Sequence, residues 1–223
     1  MNKWRFVVLV FALALAAFGL PASATLAQTE VHRFHGNLAT AYFSESEGQC
    51  IATSVEVQVT EGKIAYESGP LTPVSQVYVT IFKYDLCNQT LLLYVSGVAS
   101  LPDRAFEADP QLDSAKLDAT VNVCGGQPQA CVDVSLHLTW TGMGDITRRN
   151  VESRSRSPSC LVDLHLDDSR RRAAVSGSVS SQELSLSPAM TTIADLRIIH
   201  NGRLVSSGTN CPQSGPGAGG FPF

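Results

Sequence analysis

The chain has 223 residues, with 16 basic and 20 acidic side chains and a net charge of −4. That balance argues against a general nucleic-acid binder, which must neutralise phosphates with a basic surface. The length supports one sizeable core or two small ones.

Residues 1–24 read as a cleaved secretory signal peptide. A charged start, MNKWR, precedes the apolar run FVVLVFALALAAFGL, and Ala22-Ser23-Ala24 fits the small-residue cleavage pattern. The run is short of the roughly twenty apolar residues of a membrane span. Cutting after Ala27 is a rival site. No second apolar segment follows, so no membrane span is expected after cleavage. Removal takes away Lys3 and Arg5, leaving 14 basic against 20 acidic side chains and a net charge of −6. The charge is unevenly placed: residues 25–146 carry five basic and fourteen acidic groups, and residues 147–172 carry seven arginines and four acids.

Beyond the signal, period two dominates. Val55, Val57 and Val59 alternate with Glu56, Gln58 and Thr60, and Val77, Val79 and Ile81 share one face of the next run. Leu136, Leu138 and Trp140 alternate with polar residues, as do Val162, Leu164 and Leu166. Strict alternation puts one face in a core and one in water, as in antiparallel sheets. The predicted strands are 36–44, 50–61, 63–68, 75–85 and 89–100, then 114–124, 130–141, 147–156, 160–168 and 172–180, with a last strand near 192–200. Gly, Pro, Asn and Ser clusters separate them.

This predicts an all-β antiparallel sandwich or barrel of about ten to eleven strands. An ordered echo suggests duplication of a five-strand unit of about 80 residues. Val95-Ser96-Gly97 recurs as Val175-Ser176-Gly177, Ala39-Thr40 as Ala119-Thr120, and Cys50 as Cys131. The copies would be 36–113 and 114–200, within one domain spanning 30–204. Gly and Pro make residues 205–223 an irregular tail.

All six cysteines follow the signal, and an even count in an exported chain argues for disulfides. Cys124 and Cys131 flank the turn-rich GGQPQA and suit a hairpin staple. Six cysteines allow about fifteen pairings, among which the sequence does not choose; Cys50–Cys87 and Cys160–Cys211 are the leftover local candidates.

Candidate sites are few. His32 and His35 form an H-x-x-H pair without a third ligand at a telling distance. Asp163, His165 and Asp167, with His137 on another strand, read as ordinary solvated faces. No nucleophile elbow, phosphate loop or dinucleotide fingerprint occurs, and no cofactor is implied. The arginine segment TRRNVESRSRSPS places Arg148, Arg154 and Arg156 on one strand face, with Arg149 opposite. Guanidinium forks suit carboxylate, sulfate or phosphate groups; the competing use is pairing with the chain's own acids. Tyr78, Phe82 and Tyr84 lie opposite Val77, Val79 and Ile81, so their face reads as a second buried layer or one wall of a cavity. Trp140 is in phase with the core. Asn88-Gln89-Thr90 is a glycosylation sequon.

The sequence therefore favours an exported, non-catalytic binding or surface-interaction protein. Its partner would be an extracellular ligand, an anionic glycan among the candidates, with Arg148, Arg154, Arg156, Tyr78 and Tyr84 as ligand-binding residues. A structural or shielding envelope component is the first alternative, and a secreted hydrolase without a recognisable motif the second.

Overall fold

In the computed structural model, the described residues are 28–208 and Cys211, apart from 68, 125–130, 158, 183 and 187–190. The predicted signal peptide and most of the predicted tail lie outside them. The alternating runs form ten strands: β1 (Gln28–Glu47), β2 (Ile51–Tyr66), β3 (Thr72–Asp85), β4 (Thr90–Ser100), β5 (Phe106–Ala108), β6 (Ser114–Cys124), β7 (Cys131–Arg156), β8 (Cys160–Ser181), β9 (Leu184–Leu186) and β10 (Thr191–Gly208). The all-β antiparallel architecture is thus observed. The strands join one sheet in the order β4-β3-β2-β1-β10-β8-β7-β6-β5, with β9 pairing off this path to β8.

Two meanders build this sheet, β1 to β4 and β6 to β8. Strand β10 returns late in the chain and inserts between them, pairing β1 on one side and β8 on the other. The sheet curls so that its inner face closes on itself. Val55, Val57, Val59, Val77, Val79 and Ile81 from the first meander share one core with Leu117, Val121, Val134, Leu136, Leu138 and Trp140 from the second. Trp140 is fully buried; its indole Nε1 donates to the Thr40 carbonyl across the core at 2.9 Å, and Phe106 meets it edge-on. The curl does not close into a hydrogen-bonded barrel. At the seam β4 lies against β6, where a Cβ on Gly97 would sit 2.8 Å from the Cys124 carbonyl oxygen, so only glycine admits this approach.

Five of the strands, β1, β2, β7, β8 and β10, outrun the barrel. In β1 the buried positions are Ala39, Ala41 and Phe43 near the barrel but Leu38, Phe34 and His32 beyond it. In β2 they are Thr53, Val55, Val57 and Val59, then Thr60 and Ile64, with the small Ala65 also buried on the other side. The β1–β2 register is continuous through this region, so the strands do not slip; the sheet changes which face it buries. We call the two sides inner and reverse, after the barrel. Past the switch the reverse side carries a second, smaller cluster of Phe34, Ile64, Leu166 and Ile199.

The expected boundaries change accordingly. Predicted strands 50–61 and 63–68 are one strand, β2; 130–141 and 147–156 are joined in β7 by an irregularity between Met143 and Thr147; 160–168 and 172–180 are one strand, β8. The proposed five-strand copies therefore do not correspond strand for strand. The two echoed glycines also differ in use. Gly97 serves the seam, whereas Gly177 has φ +124° inside the β7–β8 ladder, where a Cβ would strike the His137 carbonyl. Strand β10 runs on to Gly208, beyond the start assigned to the tail, because Ser206, Ser207 and Gly208 continue to pair with both neighbours.

Three disulfides link Cys50–Cys87, Cys124–Cys131 and Cys160–Cys211. The first ties the β1–β2 turn to the β3–β4 turn, the second staples the β6–β7 hairpin, and the third fixes the chain after β10 to the start of β8. Three such links point to an oxidising, extracytoplasmic setting.

Candidate ligand-binding surface

The arginine segment forms the far half of β7, paired with β8 in the extension. Arg154 sits directly opposite Asp163, and its Nε and Nη2 donate to both carboxylate oxygens at 2.6 and 2.8 Å. Arg148 reaches Asp167 in the same two-pronged way at 3.3 and 3.1 Å. Arg149, on the reverse side, holds the fully buried Asp168 at 3.1 and 2.6 Å. The bond from Arg154 holds the Asp163 carboxyl below its ordinary pKa, and Arg148 does the same for Asp167. Arg170 and Arg197 converge on the buried Asp195, and Arg171 pairs with Asp113. Arg156 faces Leu161 near the exposed hairpin tip. The charge excess of this segment is thus largely spent within the fold. An anion arriving at Arg148 or Arg154 has to displace a bidentate carboxylate.

The same side of the extension holds a shallow groove of about 640 Å³ lined by Glu152, Arg154, Asp163, His165 and Arg203. His165 lies 3.4 Å from Glu152. His32 and His35 point to opposite sides of β1, as residues three apart in a strand must, so they cannot share a metal. His137 pairs with Asp118 at 2.9 Å, away from Asp163 and Asp167. Among the described residues no group of three or more His, Cys, Asp or Glu is placed to hold a metal ion.

The aromatic residues are arranged differently. Tyr78, Phe82 and Tyr84 do lie opposite Val77, Val79 and Ile81, but their side of the sheet is neither a second buried layer nor a cavity wall. It is the open reverse side of the barrel, because the sheet curls with the valine face inward. Cross-strand register extends the set: Tyr94 of β4 stands opposite Phe82, Leu91 opposite Tyr84, and Tyr42 of β1 two strands away, between Glu56 and Ile193. Phe82 is 39 % exposed, Tyr94 36 % and Tyr42 41 %, with Leu91 and Ile193 also exposed. The Phe82 and Tyr84 rings run nearly parallel, 9° apart in plane and 5.9 Å between centres. Beside them, Ser96 Oγ bonds both Tyr78 OH at 2.9 Å and Thr80 Oγ1 at 3.2 Å. The result is a row of rings edged by hydroxyls, with the Glu56 carboxylate at its flank.

Tyr78 and Tyr84 therefore stand on one surface, and Arg148, Arg154 and Arg156 on another. Phe82 and Tyr94 complete the aromatic set. The place of Tyr94 opposite Phe82 depends on the turn at 86–89, which sets the β3–β4 register. Among comparisons with known proteins, no family model matches the chain and no curated protein matches it in sequence.

Proposed function

We propose that the chain is an exported, non-catalytic binding protein that takes sugar rings of an extracellular polysaccharide on the reverse face of β4, β3, β2 and β1. The observation that carries this reading is the row formed by the exposed Tyr94 and Phe82 with the half-buried Tyr84, on a disulfide-tied sheet. Exposed apolar patches on an otherwise polar surface mark interaction sites. A pyranose presents an apolar C–H face that packs on an aromatic ring, while its equatorial hydroxyls seek donors and acceptors of the kind that Thr80, Ser96 and Glu56 supply. The rings lie on strands rather than loops, so little ordering entropy opposes binding. The arginine pairs support an anionic ligand less well, since their charge is already matched. Secretion through residues 1–24 belongs to the same proposal and is supported by the three disulfides.

The test is co-sedimentation with a panel of insoluble neutral and acidic polysaccharides. Retention by a neutral polymer that Phe82→Ala abolishes supports the reading. Retention only by acidic polymers, lost with Arg154→Ala and unaffected by Phe82→Ala, overturns it.

A further inference from the structure

The two ends of the sheet are finished differently. At one end β5 is three residues long, and the strand inside it, β6, presents Lys116 and Asp118. Shortness and charge of this kind keep an edge from pairing with another chain. At the other end stands β4, eleven residues long. Residues 86–100 contain no charged side chain and no proline. Every ladder from β4 round to β6 is antiparallel, so the two strands run antiparallel where they meet at the seam. Gly97 lies against Cys124, the last residue of β6, and Thr90–Ser96 therefore run past its end. Among the described residues no backbone hydrogen bond reaches the outer edge of Thr90–Ser96. Leu91 is 44 % exposed and Leu92 48 %, beside the exposed Tyr94. Leu92 is the extra residue of a bulge opposite Tyr84, and from Leu93 onward the ladder with β3 is regular. The run Thr90–Val95 has the composition of a strand that pairs readily with its own copies: apolar, uncharged and free of proline.

We propose that the free edge of β4 pairs with β4 of a second copy of this chain, antiparallel about a two-fold axis normal to the sheet. In such a pair the same few residues face one another, so a charge on the edge meets its own kind. Of the two ends of the sheet, only the uncharged one tolerates that. Pairing satisfies the outward N–H and C=O groups of β4 and covers its exposed leucines. The contact also closes. Each copy contributes one such edge and the pair uses both, whereas β4 pairing with a different edge would leave one free at each end and grow into filaments. An axis normal to the sheet puts both reverse faces on the same side. The row of Tyr94, Phe82 and Tyr84 in one copy then continues across the shared edge into the row of the other. This consequence rests on the aromatic face as the sugar site: the second copy supplies the other half of a platform, which favours a long polymer over a short oligosaccharide.

Native mass spectrometry and sedimentation velocity of the disulfide-intact chain test this, with Leu92→Lys, Leu92→Glu and an equimolar mixture of the two. With the axis near Leu93, the middle of Thr90–Ser96, the two Leu92 side chains are diagonal neighbours about 7–8 Å apart. The parent is expected at twice the monomer mass. Each charged variant alone is expected at the monomer mass, with its melting temperature unchanged because Leu92 is exposed. The mixture should regain a dimer holding one copy of each. That recovery separates a blocked edge from a misfolded strand, since misfolded chains do not pair selectively. A monomeric parent overturns the inference, as does a parent dimer that neither variant weakens or a mixture that stays monomeric. The role in binding is read separately, with a short and a long oligosaccharide of the polymer that the panel retains. Parent and Leu92→Lys should bind the short one equally, and the parent should bind the long one several-fold more tightly. Equal affinity for the long one refutes the shared platform. A dimer that binds no sugar leaves the edge pairing standing and refutes the aromatic-face reading instead.

Discussion

Trp140→Phe probes the contact that holds the curl together. The indole is fully buried and its Nε1 bonds the Thr40 carbonyl, joining β7 of one meander to β1 of the other. Replacing indole by phenyl removes this bond, worth about 1 kcal/mol net. It also leaves roughly 40 Å³ unfilled, which at about 24 cal/mol per Å³ adds about 1 kcal/mol. The lost apolar transfer brings the total to about 2–3 kcal/mol. For a domain of this size that lowers Tm by about 5–10 °C. The assay is urea unfolding followed by far-ultraviolet circular dichroism, with disulfides intact and Tyr94→Ala as an exposed comparator. A loss below about 0.5 kcal/mol, the range of a surface change, would refute the packing of the two meanders on one core. So would native emission typical of a solvated indole, since Trp140 is the sole tryptophan once residues 1–24 are removed.

Other expectations follow from the same framework. Gly177→Ala places a Cβ against the His137 carbonyl at φ +124°, and thermal melting should show a loss of more than about 2 kcal/mol or no folded protein. The Cys50–Cys87 link closes 37 residues and Cys124–Cys131 only seven. By loop entropy, serine replacements should cost about 4 and about 2.4 kcal/mol, respectively, in denaturant titrations. Asp163, Asp167 and Asp85 are held below the ordinary carboxylate range, the first two by arginine bonds and the last by Asn88. Their contribution is full above the unfolded value of about 3.9 and is lost as pH falls through the lower folded values. Glu61 runs the other way, since burial and then Glu107 raise it, and its ionisation opposes folding as pH rises through its folded value. Melting temperature should therefore fall on acidification below about pH 4, and Arg154→Ala should flatten that fall; an unchanged slope would contradict the Arg154–Asp163 coupling.

The sequence exposed much of this fold for identifiable reasons. Alternation at Val55–Val59 and Leu136–Trp140 marks strands with one buried face, and the turn-rich loop between Cys124 and Cys131 suggests their link, whereas the other two pairs were candidates that only the register of the turns decides. The lengths of β2, β7 and β8 were hidden by a physical feature. Where the sheet changes its buried face, the alternation inverts phase at Val59-Thr60, and inversion reads like a strand end. The echo of Val-Ser-Gly is real in the sequence, but Gly97 and Gly177 answer different crowding. The arginines were legible as a face; that Asp163 and Asp167 meet them required the hairpin register. For Tyr78 and Tyr84, position opposite the valines was readable. Whether that side met water depended on the direction in which the sheet curls, which no local pattern encodes.

The central claim is that binding resides on the aromatic face. The direct measurement is titration calorimetry with soluble oligosaccharides of whichever polymer the panel retains, comparing the parent chain with Phe82→Ala/Tyr84→Ala/Tyr94→Ala and with Arg148→Ala/Arg154→Ala/Arg156→Ala. The account predicts that the aromatic variant loses binding while the arginine variant keeps it. It also predicts that raising salt severalfold leaves the parent affinity nearly unchanged, because stacking is not screened as charge pairs are. Binding that survives the aromatic changes, or that collapses with salt and with the arginine changes, would contradict it.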